Sequence, residues 1–410
     1  MKKKISLAFI FLLILSACSQ QPDAEVVHLA NKDWDDIQAL AEGENVRIYM
    51  WGGDEGVNSY IDDWVAPQLL ENAGVALERV PIDTNEILQK LLNEKKANKE
   101  KGTIDLIWIN GGNFRNAKTN ELLYGPFTDQ LPNYTSFLKQ DRLDLQYDFG
   151  TEINGYEAPW GKVQFVFFYD SAKVSNPPTS FEELQNWVKE HPGRFTYPDA
   201  SDFTGNAFLR HVLYKSAGGP EPLLENGYSE ALAEQNSDWM WGYLNDIEKD
   251  LWREGATYPA SLTELDRLYS QGEVWMTMGY NEARAESLIE EGVFPKTTKS
   301  FVLESGSIGN THYLAIPFNS PNKAAALVAA NFLLSPDAQF AKYDSTYWGE
   351  NMSLDKELLP AETQAQIDSY DRGTSVLPQR VLDESFLPEM DAQYVNWIEE
   401  NWIHEVVQTK

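Results

Sequence analysis

Three short apolar segments near the start of the chain, NVRIYM (45–50), VALERVPI (75–82) and IDLIWI (104–109), are separated by stretches of helical periodicity. Between the first two, VNSYIDDWVAPQLL sets Tyr60, Ile61, Trp64, Val65 and Leu69 on one helical face. Between the second and third, TNEILQKLLNEKKA opens with Thr84 or Asn85 as its cap. Strand, helix, strand, helix, strand at this spacing predicts a parallel sheet covered by helices. Ligands of such sheets bind beyond the carboxyl ends of the strands. Those ends here are the glycine-rich loops WGGDEG (51–56) and NGGNF (110–114).

The loops narrow the chemistry. Asp54 and Glu55 stand where an anion would otherwise meet the free amides of a helix start, which disfavours a phosphate there. Trp51 occupies the place of the first glycine of G-x-G-x-x-G, and the chain contains no G-x-x-x-x-G-K-[ST], so a nucleotide hydrolase is excluded. Nucleic acid is excluded as a partner because 63 acidic side chains face 33 basic ones, and phosphate neutralisation needs a basic face. The five histidines, His28, His191, His211, His312 and His404, show no metal-ligand spacing, so no metal or cofactor is expected. SGSIGNTH (305–312) fails as a nucleophile elbow because Ser305 replaces the required glycine. Among so many acids, no particular carboxylate pair is singled out for glycoside cleavage.

Lys2, Lys3 and Lys4 precede an apolar run, residues 5–17, that is short for a membrane span and reads as an export signal. Leu15, Ser16, Ala17 and Cys18 resemble the lipobox of bacterial lipoproteins, which implies cleavage before Cys18 and acylation of that residue. Cys18 is the single cysteine of 410 residues, so it has no internal disulfide partner. Several acyl chains, at about 0.8 kcal/mol per buried methylene, hold a protein to a membrane durably. The remaining chain is longer than one core usually serves, and two domains are expected.

Downstream, YEAPWGKVQFVFFYD (156–170) reads as a long strand. Thr179 with Glu182, or Ser180 with Glu183, forms a capping box, and Ser320–Pro321 and Ser335–Pro336 start helices. Taken in order, APWG…FFYD, PPTSFEEL, GRFTYPD, QGEVWMTMGYNEA and HYLAIPFNSPNKAAALVAANFLLSP resemble the type II periplasmic-binding family, the solute-binding proteins of ABC importers. WGGDEGVNSYIDDWVAP, GTIDLIWINGGNF, GYEAPWGKVQF and RFTYPDASDFTG further resemble a subfamily provisionally assigned to thiamine import.

The resemblance implies a two-lobed α/β fold, each lobe a mainly parallel sheet flanked by helices, with a hinge between them. The crossovers fall near 156–161 and 309–315. The corresponding divisions are a signal peptide (1–17), a tether and N-terminal segment (18–42), lobe I (43–157 plus 312–410) and lobe II (158–311). It also implies a non-catalytic monomer that captures one small solute and delivers it to a permease and a separate ATPase. Ligand-binding candidates are Trp51, Asp54, Glu55, Asn110 and Asn113 on lobe I, and Trp160, Thr204, Tyr280 and Asn281 on the facing lobe. Aromatic faces beside carboxylates suit an organic cation such as thiamine. A secreted carbohydrate-active enzyme or sugar-binding module is the alternative, since tryptophan-rich clefts also stack on sugars. Cys18→Ala is expected to give unprocessed precursor, or protein released into the soluble fraction. Fractionation and mass determination of the amino terminus check this, and normal processing with full membrane retention would contradict the lipobox reading.

Overall fold

The computed structural model describes Leu29, residues 32–224 and residues 227–407. Cys18 and the export signal lie outside the described residues. The three expected strands form as Asn45–Met50, Ala76–Pro81 and Leu106–Ile109, with the first paired in parallel to both others. Alternation along them sorts two cores. Val46, Ile48, Met50 and Leu106 face one side with the helix Lys323–Leu333, while Ile107 and Ile109 face the other with Ile87, Leu91 and Phe114. Tyr60, Ile61, Val65 and Leu69 are buried as their spacing predicts, on a helical run with a π-turn at Tyr60–Val65.

Two helix starts differ from the sequence reading. Asp83 takes the cap position before Thr84–Lys96, and Asn322 the one before Lys323–Leu333. The Ser180 and Ser335 caps form, each oxygen accepting an amide of the first turn. Glu183 completes the first by accepting from the amide of Thr179 at 2.8 Å.

The middle of the chain departs from a parallel sheet. Val166–Asp170 pairs antiparallel with both Thr298–Phe301 and Met276–Gly279. More than a hundred residues and several helices separate Val166–Asp170 from Met276–Gly279, so the chain is free to return in either direction. Only closely spaced strand–helix–strand units impose parallel pairing. The core of this lobe is formed by Phe165, Val166, Phe167, Phe168, Met276 and Met278 against the almost wholly buried helix Phe203–Ser216.

Two long strands join the lobes. Ala158–Gln164 runs antiparallel to Ser307–Pro317, with a register irregularity between His312 and Tyr313. Along the first, Ala158 and Trp160 belong to the lobe I core and Phe165 to the lobe II core. Along the second, Ile308 belongs to lobe II and Leu314 to lobe I. The handovers therefore lie between Trp160 and Phe165 and between Ile308 and Leu314. A short strand, Asn351–Met352, adds to the outer edge of the pair.

Both ends of lobe I differ from the expected divisions. The lobe begins before residue 43, because Trp34–Ala41 buries Ile37 and Ala41 in its core. The last stretch leaves it again. Leu382, Met390, Tyr394, Trp397, Ile398 and Trp402 pack in the lobe II core, Trp397 against Trp241 with ring centroids 5.9 Å apart. The apolar face of the terminal helix Ala392–Trp402 thus completes lobe II, and the chain crosses between the lobes a third time after Leu359.

Trp160 marks the lobe I side of the hinge and is completely buried. Trp160→Ala is expected to cost about 3–5 kcal/mol of stability. Urea denaturation checks it, and a loss below about 1 kcal/mol would contradict a core role.

Candidate functional site

The first loop is shaped by its own side chains. Asp54 accepts from the amide of Val57 at 3.0 Å and caps the helix Glu55–Ser59, and Asn58 Nδ2 donates to the carbonyl of Gly52 at 3.1 Å. Gly56 is required because a Cβ there would stand 2.2 Å from the carbonyl oxygen of Tyr347. Asp54 and Glu55 are exposed, and Trp51 is 46% exposed at the rim.

Behind Trp51 the indoles nest. Trp108 meets Trp51 edge-on at 6.5 Å and Trp160 edge-on at 5.3 Å, and lies 5.3 Å from Trp348 and 4.7 Å from the His312 ring. Burial, assisted by the Lys342 ammonium, lowers the pKa of His312 to about 3, so its ring is neutral.

In the second loop, Gly111 adopts φ +57° at the start of the helix Gly111–Thr119. Asn110 stands at the cap position, but its side chain is turned elsewhere and donates to Asn310 Oδ1 at 3.0 Å. Asn310 Nδ2 in turn donates to Glu389 Oε1 at 3.2 Å, and the Tyr280 hydroxyl donates to the same oxygen at 2.8 Å. The Arg210 guanidinium is fully buried. It pairs with Glu389 Oε2, donates to the Tyr280 hydroxyl at 3.2 Å, and lies between the rings of Phe149 on lobe I and Phe203 on lobe II. A continuous polar bridge therefore runs from lobe I through the hinge to lobe II. Nearby, Asp391 caps the terminal helix and lies 3.5 Å from Arg115 of lobe I.

The sequence-derived candidates take different places. Asn110 and Tyr280 come from opposite lobes and meet through Asn310 and Glu389. Asn281, at φ +63°, donates to the carbonyl of Trp348 at 3.1 Å. Asp54 reaches the far lobe electrostatically: burial opposes the charge on Arg284, but Asp266 and, more weakly, Asp54 outweigh it and raise its pKa. Asn113 is half-buried on the first turn of its helix, and Glu55 points to solvent.

Two candidates present little surface. Trp160, expected on the facing lobe, is in the lobe I core because its strand has not yet crossed. Thr204 is 5% exposed, and its amide is used by the Asp202 cap. Its neighbour Phe203 is the exposed group, with its ring 5.2 Å from that of Tyr280. Sequence reasoning missed Trp108, Arg210, Asn310, Trp348 and Glu389. A tryptophan within an otherwise aliphatic strand was a signal for Trp108, whereas Asn310 and Glu389 have none that is local.

Two strand crossovers thus join the lobes, with a polar and aromatic seam between them. A sequence profile of bacterial extracellular solute-binding proteins matches residues 64–364, and the chain belongs to that family. It is 34% identical over 374 residues to Protein YnjB of Escherichia coli (strain K12), covering 91% of this chain and 93% of that protein. The fold matches the spermidine/putrescine ABC transporter substrate-binding protein PotD of Streptococcus pneumoniae with a TM-score of 0.63 at 17% identity, over 90% of this chain and 100% of that one. It matches a structure described as a periplasmic thiamin binding protein with a TM-score of 0.55 at 17% identity, over 88% and 94% of the two chains.

The role is therefore that of an extracellular solute-binding protein rather than an enzyme. Among the described residues no helix is long and apolar enough to cross a membrane.

Removing one partner of a buried ion pair strands the other. Glu389→Ala is expected to cost about 3–5 kcal/mol, and Arg210→Met with Glu389→Leu to recover most of it. Chemical denaturation of the three variants measures this, and a double variant as unstable as the single one would contradict the pairing.

Proposed function

We propose that this protein is the lipid-anchored, monomeric solute receptor of an ABC importer, and that its solute is a flat organic cation of the thiamine kind. The observation that carries the reading is the charge balance around the indole nest. Exposed Trp51 lies edge-on to Trp108, with the exposed carboxylates Asp54 and Glu55 beside it. The cations closest to the seam are already matched: Arg210 by Glu389, Arg284 by Asp266, Arg372 by Glu282 and Lys342 by Glu350. An incoming cation meets indole faces, each worth about 0.5–2 kcal/mol, and carboxylates able to add a charge-assisted bond. An anion meets no unmatched positive partner among these groups.

Two of the structures sharing this fold are described as a thiamin-binding and a spermidine/putrescine protein, both receptors of organic cations. Another structure of the same fold is described with fructose-6-phosphate bound, so the fold by itself does not choose the solute and the reading stands on the charge balance. Hinge closure over the cation couples binding to docking, because the permease then meets a surface that exists only in the closed form. The anchor is Cys18, which holds the receptor beside its permease.

A thermal-shift screen of the mature protein against thiamine, its phosphates, spermidine, sugars and common oxyanions tests the reading. A solute at about a hundredfold its dissociation constant adds roughly 2.7 kcal/mol of stability. Thiamine or a related ring cation is expected to stabilise the wild type, with affinity weakened about 10-fold in Trp51→Ala and Asp54→Asn by calorimetry. Stabilisation by oxyanions or sugars alone, or cation binding unchanged in both variants, would overturn it.

A further inference from the structure

Below the indole nest lies a carboxylate whose position the hinge alone does not explain. Glu350 follows Trp348 and Gly349 into the strand Asn351–Met352 and is completely buried. Its Oε1 lies 3.2 Å from Nδ1 of His312 and its Oε2 3.6 Å from Nζ of Lys342. Even so, neither oxygen accepts a hydrogen bond among the described residues, and His312 Nδ1 makes none. Lys342 directs its hydrogen bonds to the carbonyls of Trp160 and Asn351, at 2.8 and 3.0 Å. A purely structural ion pair would be expected to hydrogen-bond, since buried polar atoms are paired in the great majority of cases.

The backbone is fitted to this group. A Cβ at Gly161 would stand 2.4 Å from Oε1 and 2.6 Å from Oε2 of Glu350, so only glycine leaves the carboxylate where it is. Exposure falls inward across the packed rings, from Trp51 at 46% through half-buried Trp108 and the His312 side chain at 13% to Glu350 at zero. Two adjacent acceptor oxygens beneath these rings match a flat ring carrying N–H donors, in the way a carboxylate receives a guanidinium.

We infer that Glu350 is a ligand-recognising residue of this site, its two oxygens accepting from N–H groups of a nitrogen-bearing ring that enters past Trp51 and Trp108. The inference rests on the reading of the site as an organic-cation receptor, and it adds a donor requirement that a simple cation cage lacks. The groups facing Glu350 are Lys342, His312, Glu282 and Tyr60, with Arg372 held on Glu282. Burial raises the Glu350 pKa to about 7, with Lys342 pulling it down and Glu282 pushing it up. Lys342, lowered by burial to about 8, is the neighbouring group that also titrates near neutrality. The ionised carboxylate accepts at both oxygens and the protonated one at only one, so affinity for a two-point donor is expected to fall as pH is lowered through about 7.

The test is calorimetry with thiamine as a ring bearing N–H donors and spermidine as a cation without a ring, at pH 8 and pH 6. Glu350→Gln keeps the shape and loses one acceptor. It is expected to weaken thiamine about 10- to 100-fold at pH 8, to flatten the pH dependence, and to lower the ligand-free thermal midpoint because the buried Lys342 ammonium loses its counter-charge. Glu350→Asp serves where the amide variant fails to fold. It keeps the charge, withdraws the oxygens by one methylene, and is expected to lose a similar factor while the pH dependence survives. Wild-type affinity and pH profile in either variant would overturn the role of Glu350 while leaving the cation reading intact. Failure of the wild type to bind thiamine would overturn both.

Discussion

The antiparallel pairing of Ala158–Gln164 with Ser307–Pro317 is the constraint on which the rest of the molecule depends. Each strand begins in one hydrophobic core and ends in the other, so the same ladder of backbone bonds both joins the lobes and fixes how they face each other. Its middle carries the functional groups. Trp160, Gly161, Asn310 and His312 lie on or beside the crossing, where side chains contact both lobes. The register irregularity between His312 and Tyr313 lies within this crossing.

Burying charge at such a crossing is costly, and the protein offsets the cost by pairing. Arg210 with Glu389, Arg372 with Glu282 and Lys342 with Glu350 all lie along or beside the seam, with little or no exposure. These pairs do little for net stability, because desolvation takes back most of the Coulombic gain. They do shape the seam electrostatically: a solute entering there meets a surface whose positive charge is already matched. Glu350 differs in accepting no hydrogen bond from its neighbours.

Much of lobe I was legible because its determinants are local. The period of two in NVRIYM and IDLIWI and the helical spacing between them dictate a parallel sheet, and the sheet places the Trp51 and Asn110 loops at its carboxyl ends. Trp108 was visible within its strand, but alternation does not say which face of a strand meets a cleft. Lobe II was less legible, since long helical connections between its strands leave their direction undetermined, and they pair antiparallel. The terminal helix shows the same limit: Tyr394, Trp397, Ile398 and Trp402 mark an apolar face, but nothing in that segment says which lobe offers the matching surface.

By itself, the sequence determined a helix-covered parallel sheet at the start of the chain, the loops that edge the site, and the exclusion of a nucleotide hydrolase and of nucleic-acid binding, because these follow from periodicity, turn residues and charge within short stretches. The two lobes were implied by the resemblance to the type II periplasmic-binding family. The tertiary structure alone decided that Trp160 is core, that Asn110 and Tyr280 meet through Asn310 and Glu389, and that Glu350 lies under the indoles. Those contacts join residues tens to hundreds of positions apart, as in Asn110 with Asn310, and their energies depend on desolvation and geometry that exist only once the chain has folded.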